Sequence, residues 1–194
     1  MKKTFLVAFL STIISCSSDK KVEVEPISEN KDLLTQKISP SELKKYNSVK
    51  EMLEDAHDFT IEEGTLKFIN SDENNLHLQV SKYTVKGESD DIINQTVKRD
   101  IVYVAFQTFA QTSTNKITIT LVPIDYNVKT KYYNQYKKTI TITRQKADQI
   151  MQQEFGNTDY SILFDQLNTM QIPSKNFDKL KFENLDKIYS ELLK

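Results

Sequence analysis

Apolar residues recur along this chain with two different periods, and the change from one to the other divides it into elements. Leu76, Leu78 and Val80 alternate with polar neighbours, Tyr83 and Val85 extend the run to residue 86, and 59–69 forms a second β run across the polar loop 70–75. Alternation at period two marks a strand with one dry face, so 59–86 predicts a hairpin. Ile117, Ile119 and Leu121 repeat the alternation, and Ile140 and Ile142 do so again within 138–143. Between them the parity changes, because Val122, Ile124, Tyr126 and Val128 are even-numbered. That places a switch of the inward face near Pro123, where a bulge would accommodate the missing proline N–H. Tyr132 and Tyr136 keep the even parity, so the segment predicts a second, long hairpin turning near 129–131 in place of a structureless loop.

Helical spacing takes over elsewhere. Ile93, Val97, Ile101, Val104, Ala105 and Phe109 lie on one face, and Val102, Phe106 and Ala110 widen it. Ser89 is the predicted cap, followed by Asp90 and Asp91 at the positive end of the dipole. Residues 101–106 are rich in β-branched side chains, but the series 93-97-101-105-109 selects a helix lying across a sheet. Near the start, Ser39-Pro40-Ser41-Glu42 and Ser48-Val49-Lys50-Glu51 both carry a helix-start pattern. They predict two short helices or one kinked helix, with Leu43, Tyr46, Val49, Leu53 and Ala56 inward. The end of the chain predicts helices over 144–155, stopped by Gly156, then 159–168, then 183–193 with Leu185, Ile188, Tyr189 and Leu192 inward. Pro173 breaks the chain between the last two. The reading is an α+β fold over 39–194, a single domain. It has an antiparallel sheet of about four strands built from two hairpins, a long helix across one face and a helical C-terminal region.

Before residue 39 the periodicity stops. Residues 16–38 are polar and mixed in charge, with Pro26 and scattered aliphatics, as in a flexible tether with a reach of roughly 25 Å. Docking of Val22, Val24, Leu33 and Leu34 on the body is the alternative. Residues 1–15 have two lysines, then an apolar run from Phe5 through Ile14, the layout of a secretory signal. The run is shorter than the about 20 residues of a membrane span. It ends Ile13-Ile14-Ser15-Cys16, which resembles the lipobox of bacterial lipoproteins. The resemblance covers residues 1–16 and implies diacylglyceryl transfer to the Cys16 thiol, cleavage between Ser15 and Cys16, and attachment to a membrane through covalent lipid. Cys16 is the only cysteine, so lipidation would account for a thiol that an exported chain otherwise carries unexplained. Ser17 is not the aspartate that retains lipoproteins in the inner membrane of enteric-type bacteria. The implied address is therefore the outer membrane in a host that has one, and otherwise the outer face of the cell membrane.

Composition narrows the chemistry. The net charge is −1, or −3 once Lys2 and Lys3 are removed, and Gly64, Gly87 and Gly156 are the only glycines. Neither a nucleic-acid partner nor a nucleotide fits a near-neutral, glycine-poor chain. His57 and His77 could join Asp58, Glu62 or Glu63 around a metal, yet their separation matches no zinc spacing. Both are read as surface residues, with no metal or other cofactor expected. No G-x-S-x-G, H-E-x-x-H or P-loop is present, and no catalytic residue is assigned.

One patch stands out. Tyr126, Tyr132, Tyr133 and Tyr136 interleave with Lys129, Lys131, Lys137 and Lys138. Tyr126, Lys129, Lys131, Tyr132, Tyr133 and Tyr136 form a candidate binding surface for an envelope protein or an anionic polymer, through stacking and cation–π contact. The competing reading has the tyrosines covering helices and the lysines guarding a strand edge. The leading functional expectation is a non-enzymatic binding or assembly lipoprotein. An envelope hydrolase using paired carboxylates and an inhibitor or immunity lipoprotein are the alternatives. Replacement of Cys16 by Ala is expected to abolish metabolic palmitate labelling of the protein in its host; persistent labelling would remove the anchor.

Overall fold

In the computed structural model the described residues are 42–72, 74–168 and 170–194, so the signal peptide, the tether and the helix start at 39–41 lie outside them. The elements come in the order α1 (Val49–Asp55), β1 (Leu66–Asn70), β2 (Leu76–Val80), β3 (Tyr83–Thr84), α2 (Asp90–Gln111), β4 (Lys116–Leu121) and β5 (Ile124–Asp125). Then come β6 (Lys138–Thr143), α3 (Arg144–Phe155), β7 (Phe164–Leu167), β8 (Met170–Pro173), α4 (Lys175–Asp178), a π-helical turn (Lys179–Glu183) and α5 (Leu185–Leu192). The caps behave as their sequences predict. Ser48 accepts from Glu51 N–H, Ser89 from Ile92 N–H, and Gly156 ends α3 at a φ of +74° that suits a residue without Cβ.

The fold is α+β, and its four-stranded sheet has the order β1-β2-β4-β6. Both outer pairs are antiparallel hairpin pairs, as the alternation predicts. The central pair, β2 and β4, runs parallel, with Leu76 opposite Ile117 and Val80 opposite Leu121. Parallel neighbours need a crossover, and α2 supplies it. One face of the sheet collects Leu66, Leu76, Leu78, Val80, Ile117, Ile119, Leu121, Ile140 and Ile142, all buried. The other face is polar: Thr118 pairs with Thr141 and Thr120 with Thr139 through hydroxyl contacts of 2.8 Å, and His77 Nε2 lies 2.9 Å from Thr120 Oγ1.

α2 packs on β4 along one side and on α5, the π-helical turn and α3 along others. From Asp100 to Gln111 every residue except Tyr103 is buried, which is how the one-sided stripe read from the sequence becomes a helix enclosed by structure. Its C-terminal carbonyls are closed by Arg144, the first residue of α3. The guanidinium donates to the carbonyls of Phe109 (2.7 Å), Thr112 (2.8 Å) and Thr114 (2.9 Å) and stacks over the Phe109 ring.

Three predicted elements are corrected. Residues 59–65 form turns and the strand starts only at Leu66; residues 42–47 are not helical; and the helix predicted over 159–168 is a 3-10 turn (Tyr160–Leu163) followed by the β7–β8 hairpin. Asn168, at a φ of +54°, makes the turn of that hairpin, a conformation asparagine tolerates better than most residues. The only alternation in the segment is Met170 and Ile172 about Gln171; Phe164-Asp165-Gln166-Leu167 carries none.

Replacing Arg144 with Met keeps much of its packing and leaves the α2 carbonyls without their donor. It should lower the melting temperature by roughly 5–10 °C, as expected for loss of about 2–3 kcal/mol in a chain of this size; an unchanged melting temperature would show that the cap contributes nothing.

Candidate functional site

The tyrosine–lysine segment connects β4 to β6. β4 ends at Leu121 and the chain resumes as β5 beside β3 in parallel register. Residues 121–125 are all buried and Tyr126, Val128 and Tyr132 are exposed, so the even-numbered inward face expected beyond Pro123 is corrected: the break in the strand is there, but the alternation does not continue. Asp125 N–H donates to Lys131 O (2.9 Å) and Lys131 N–H to Val128 O (2.8 Å), a turn at the predicted place. Asp125 organises the loop that runs on from it. Its carboxylate is buried and accepts from Tyr133 Oη (2.6 Å), Asn127 N (2.9 Å), Val128 N (3.1 Å) and Lys131 Nζ (3.4 Å). The Tyr133 hydroxyl leads these donors in holding the carboxyl down to about 2, against a burial that opposes it.

The six candidate residues therefore divide. Tyr133 and Lys131 are committed to Asp125, and the Tyr136 hydroxyl donates to Asp90 at the start of α2. Tyr126, Lys129 and Tyr132 stay on the exposed side, with Lys129 Nζ 5.3 Å from the Tyr83 ring centre and Tyr126 edge-on to the same ring at 5.9 Å. Half of the patch is scaffold and half is surface. Ser15 and Cys16 lie outside the described residues.

A second feature went unread in the sequence. Asp100, Tyr103, Gln107 and Gln111 succeed one another at steps of three and four residues along one face of α2, and together they line a cleft of about 880 Å³. The β7–β8 hairpin contributes Phe164, Met170, Gln171 and Ile172, the turn after α1 contributes His57 and Asp58, Lys82, Arg99, Lys181 and Phe182 add to the lining, and so does the Lys44–Asp55 ion pair with Tyr46. His57 holds a φ of +56°, uncommon for a residue with a Cβ. Tyr103 donates to Asp58 Oδ2 at 2.7 Å, stacks on Phe177 at 5.4 Å, and has its hydroxyl pKa pushed up, chiefly by burial. Lys181 Nζ stands over the rings of Tyr103, Phe177 and Phe182.

Five side-chain oxygens among the described residues are enclosed without a hydrogen-bond partner, and three of them belong to residues that line the cleft: Asp100 Oδ2, Gln107 Oε1 and Gln111 Oε1, the others being Ser81 Oγ and Thr108 Oγ1. The three side chains belong to residues only 4%, 5% and 3% exposed. Arg99 engages the other Asp100 oxygen at 2.7 Å. Burial pushes the Asp100 carboxyl above the usual range, Arg99 and Lys82 oppose it, and Asp58 adds to it. A raised acid is stabilised protonated in the fold and costs stability as pH rises through its folded pKa, so a carboxylate here is retained against a penalty. The sequence signal was available: polar residues at helical spacing inside the most apolar stretch of α2. His57 lines the cleft, whereas His77 sits on the polar sheet face, and among the described residues no cluster of three metal-ligating side chains occurs. No family model, curated protein or solved structure matches this chain.

Because the Asp125 pKa is depressed, its contribution is present above the unfolded value near ~4 and is lost as pH falls through about 2. Amide protection of Asn127 and Val128 in hydrogen exchange is expected to fall across that window. Asp125→Asn should show the loss already at neutral pH, with tryptic cleavage after Lys129 and Lys131 accelerated by roughly tenfold; unchanged protection and cleavage would show that the carboxylate does not hold the loop.

Proposed function

We propose that this chain is a lipid-anchored bacterial envelope lipoprotein whose folded part is a non-enzymatic binding module, and that the cleft along α2 is its receiving site. The observation that carries the reading is the cleft of about 880 Å³, which brings the polar row Asp100, Tyr103, Gln107 and Gln111 of α2 together with apolar side chains of the β7–β8 hairpin. A concave site that mixes apolar walls with a few polar groups is the usual form of a ligand pocket. The lip adds apolar contact, since Met170, Phe182 and Ile172 are 60%, 55% and 36% exposed.

A hydrolase would need two carboxylates placed around a bond. Asp100 is buried and faces Arg99, but Asp58 is exposed and accepts from Tyr103, so the binding reading is preferred. The exposed half of the tyrosine–lysine loop, Tyr126, Lys129 and Tyr132, gives a second surface suited to an envelope protein or an anionic polymer. Its preorganisation by Asp125 limits the ordering cost of contact.

The test is site-specific photocrosslinking in intact cells. A photoreactive residue at Met170, on the cleft lip, is expected to give an adduct of defined mass, which the added substitution Gln107→Leu removes. The same residue at Leu193, which is exposed and outside the cleft lining, should give none. Adducts of equal yield at both positions, or none at either, would end the proposal.

A further inference from the structure

Exposed apolar side chains gather at a second place, and none of them lines the cleft. Val85, Tyr126, Val128 and Tyr132 are 55%, 60%, 50% and 38% exposed, and the backbone brings them together. Tyr126 N–H donates to Thr84 O (3.0 Å), next to Val85, and Tyr132 bridges to Ile124. Asp125 holds the loop between them through the backbone N–H groups of Asn127 and Val128. Exposed apolar residues scattered singly need no explanation, but a group of them on one fixed loop marks a contact surface.

The charge beside them has one sign. No acidic residue occurs between Asp125 and Asp148, whereas Lys129, Lys131, Lys137 and Lys138 fall in that stretch and Lys86 follows Val85. Lys131 pairs with Asp125, but among the described residues Lys86 and Lys129 enter no ion pair. Glu63 and Glu88 touch the group through their backbones: Glu63 O accepts from Tyr83 Oη (3.4 Å), and Glu88 N–H donates to Val85 O (3.2 Å).

This composition selects among partners. The cores of protein interfaces are depleted in lysine, whereas Lys129 sits within the aromatic group, 5.3 Å from the Tyr83 ring centre. A polymer held by stacking needs open ring faces, and Tyr83 has Lys129 over its ring and Tyr126 edge-on to it. Tyrosine and aliphatic side chains flanked by lysine match a membrane–water interface. There a phenol ring lies at headgroup level with its hydroxyl wet, and lysine reaches lipid phosphate.

We propose that this loop, with Val85 and Lys86, rests on an anionic phospholipid bilayer, Tyr126, Val128 and Tyr132 entering the headgroup layer and Lys86 and Lys129 pairing with lipid phosphates. The proposal rests on the lipid-anchor reading, because a domain fixed to a bilayer at Cys16 meets that surface at high effective concentration and a weak contact suffices.

The experiment uses the full mature lipoprotein, reconstituted through its own lipid into vesicles of phosphatidylglycerol and phosphatidylethanolamine whose acyl chains are brominated near the headgroups. The chain has no tryptophan, so Tyr126→Trp introduces a single indole that bromine quenches on contact. Phe182→Trp, at an exposed position on the cleft lip, is the reference. Quenching is expected for Tyr126→Trp and not for Phe182→Trp. Adding Lys86→Gln or Lys129→Gln should each lower the ratio of quenched to unquenched protein about fivefold, and Lys129→Arg should keep it. About 1 M salt, which shortens the screening length to about 3 Å, should release the loop while the protein stays with the vesicles. Tyr132→Trp gives the same readout should Tyr126→Trp fail to fold. No quenching at the loop, or equal quenching at the loop and at Phe182→Trp, overturns the proposal. Shielding of the indole by soluble polyphosphate without quenching by vesicles overturns it in favour of an anionic polymer. Protein that leaves the vesicles at high salt refutes the anchor, and quenching at low salt still decides the loop.

Discussion

The almost complete burial of the second half of α2 is the constraint on which the rest of this structure depends. Between Asp100 and Gln111 only Tyr103 escapes burial, because the sheet covers one side of α2 while α1, α3, the π-helical turn and α5 occupy others. Enclosure on that scale supplies the apolar burial that stabilises the fold. It also removes water as a hydrogen-bond partner for everything on the helix. Its last carbonyls are answered from another element, by Arg144, whose guanidinium lies near the rings of Phe109 and Tyr160.

The same enclosure sets the cost of polar groups on the helix. Polar side chains on an exposed helix would be solvated. On α2, Asp100, Gln107 and Gln111 are cut off from bulk solvent, so each of their oxygens without a partner is a cost to the fold. The β7–β8 hairpin sets the boundary: Gln171 receives the amide of Gln111 at 3.3 Å and the backbone N–H of Lys44 at 3.0 Å, closing the Gln111 end. Towards Asp100 the surroundings are charged, with Arg99, Lys82 and Asp58 all acting on its carboxyl.

The tyrosine–lysine loop shows the opposite arrangement. Its buried carboxylate, Asp125, is fully engaged, and the engagement shapes backbone instead of inviting a ligand. Residues that look alike in the sequence take different parts according to which side of that anchor they fall on. Tyr133 and Lys131 turn to the aspartate, while Tyr126, Lys129 and Tyr132 face outward.

The amino-acid pattern alone determined the parts of this protein governed by local rules. Alternation located β2, β4 and β6; the caps Ser48 and Ser89 and the stop at Gly156 located α1, α2 and α3; parity located the break at Pro123. Those features are legible because each depends on residues within a few positions of one another. The parallel pairing of β2 with β4, the conversion of 164–173 into a hairpin and the split within the tyrosine–lysine patch were decided by tertiary structure. So was the cleft. Asp100, Gln107 and Gln111 are ordinary polar residues until a hairpin more than fifty positions away closes over the helix that carries them. Burial is a property of what packs against a residue, which spacing along one segment does not encode.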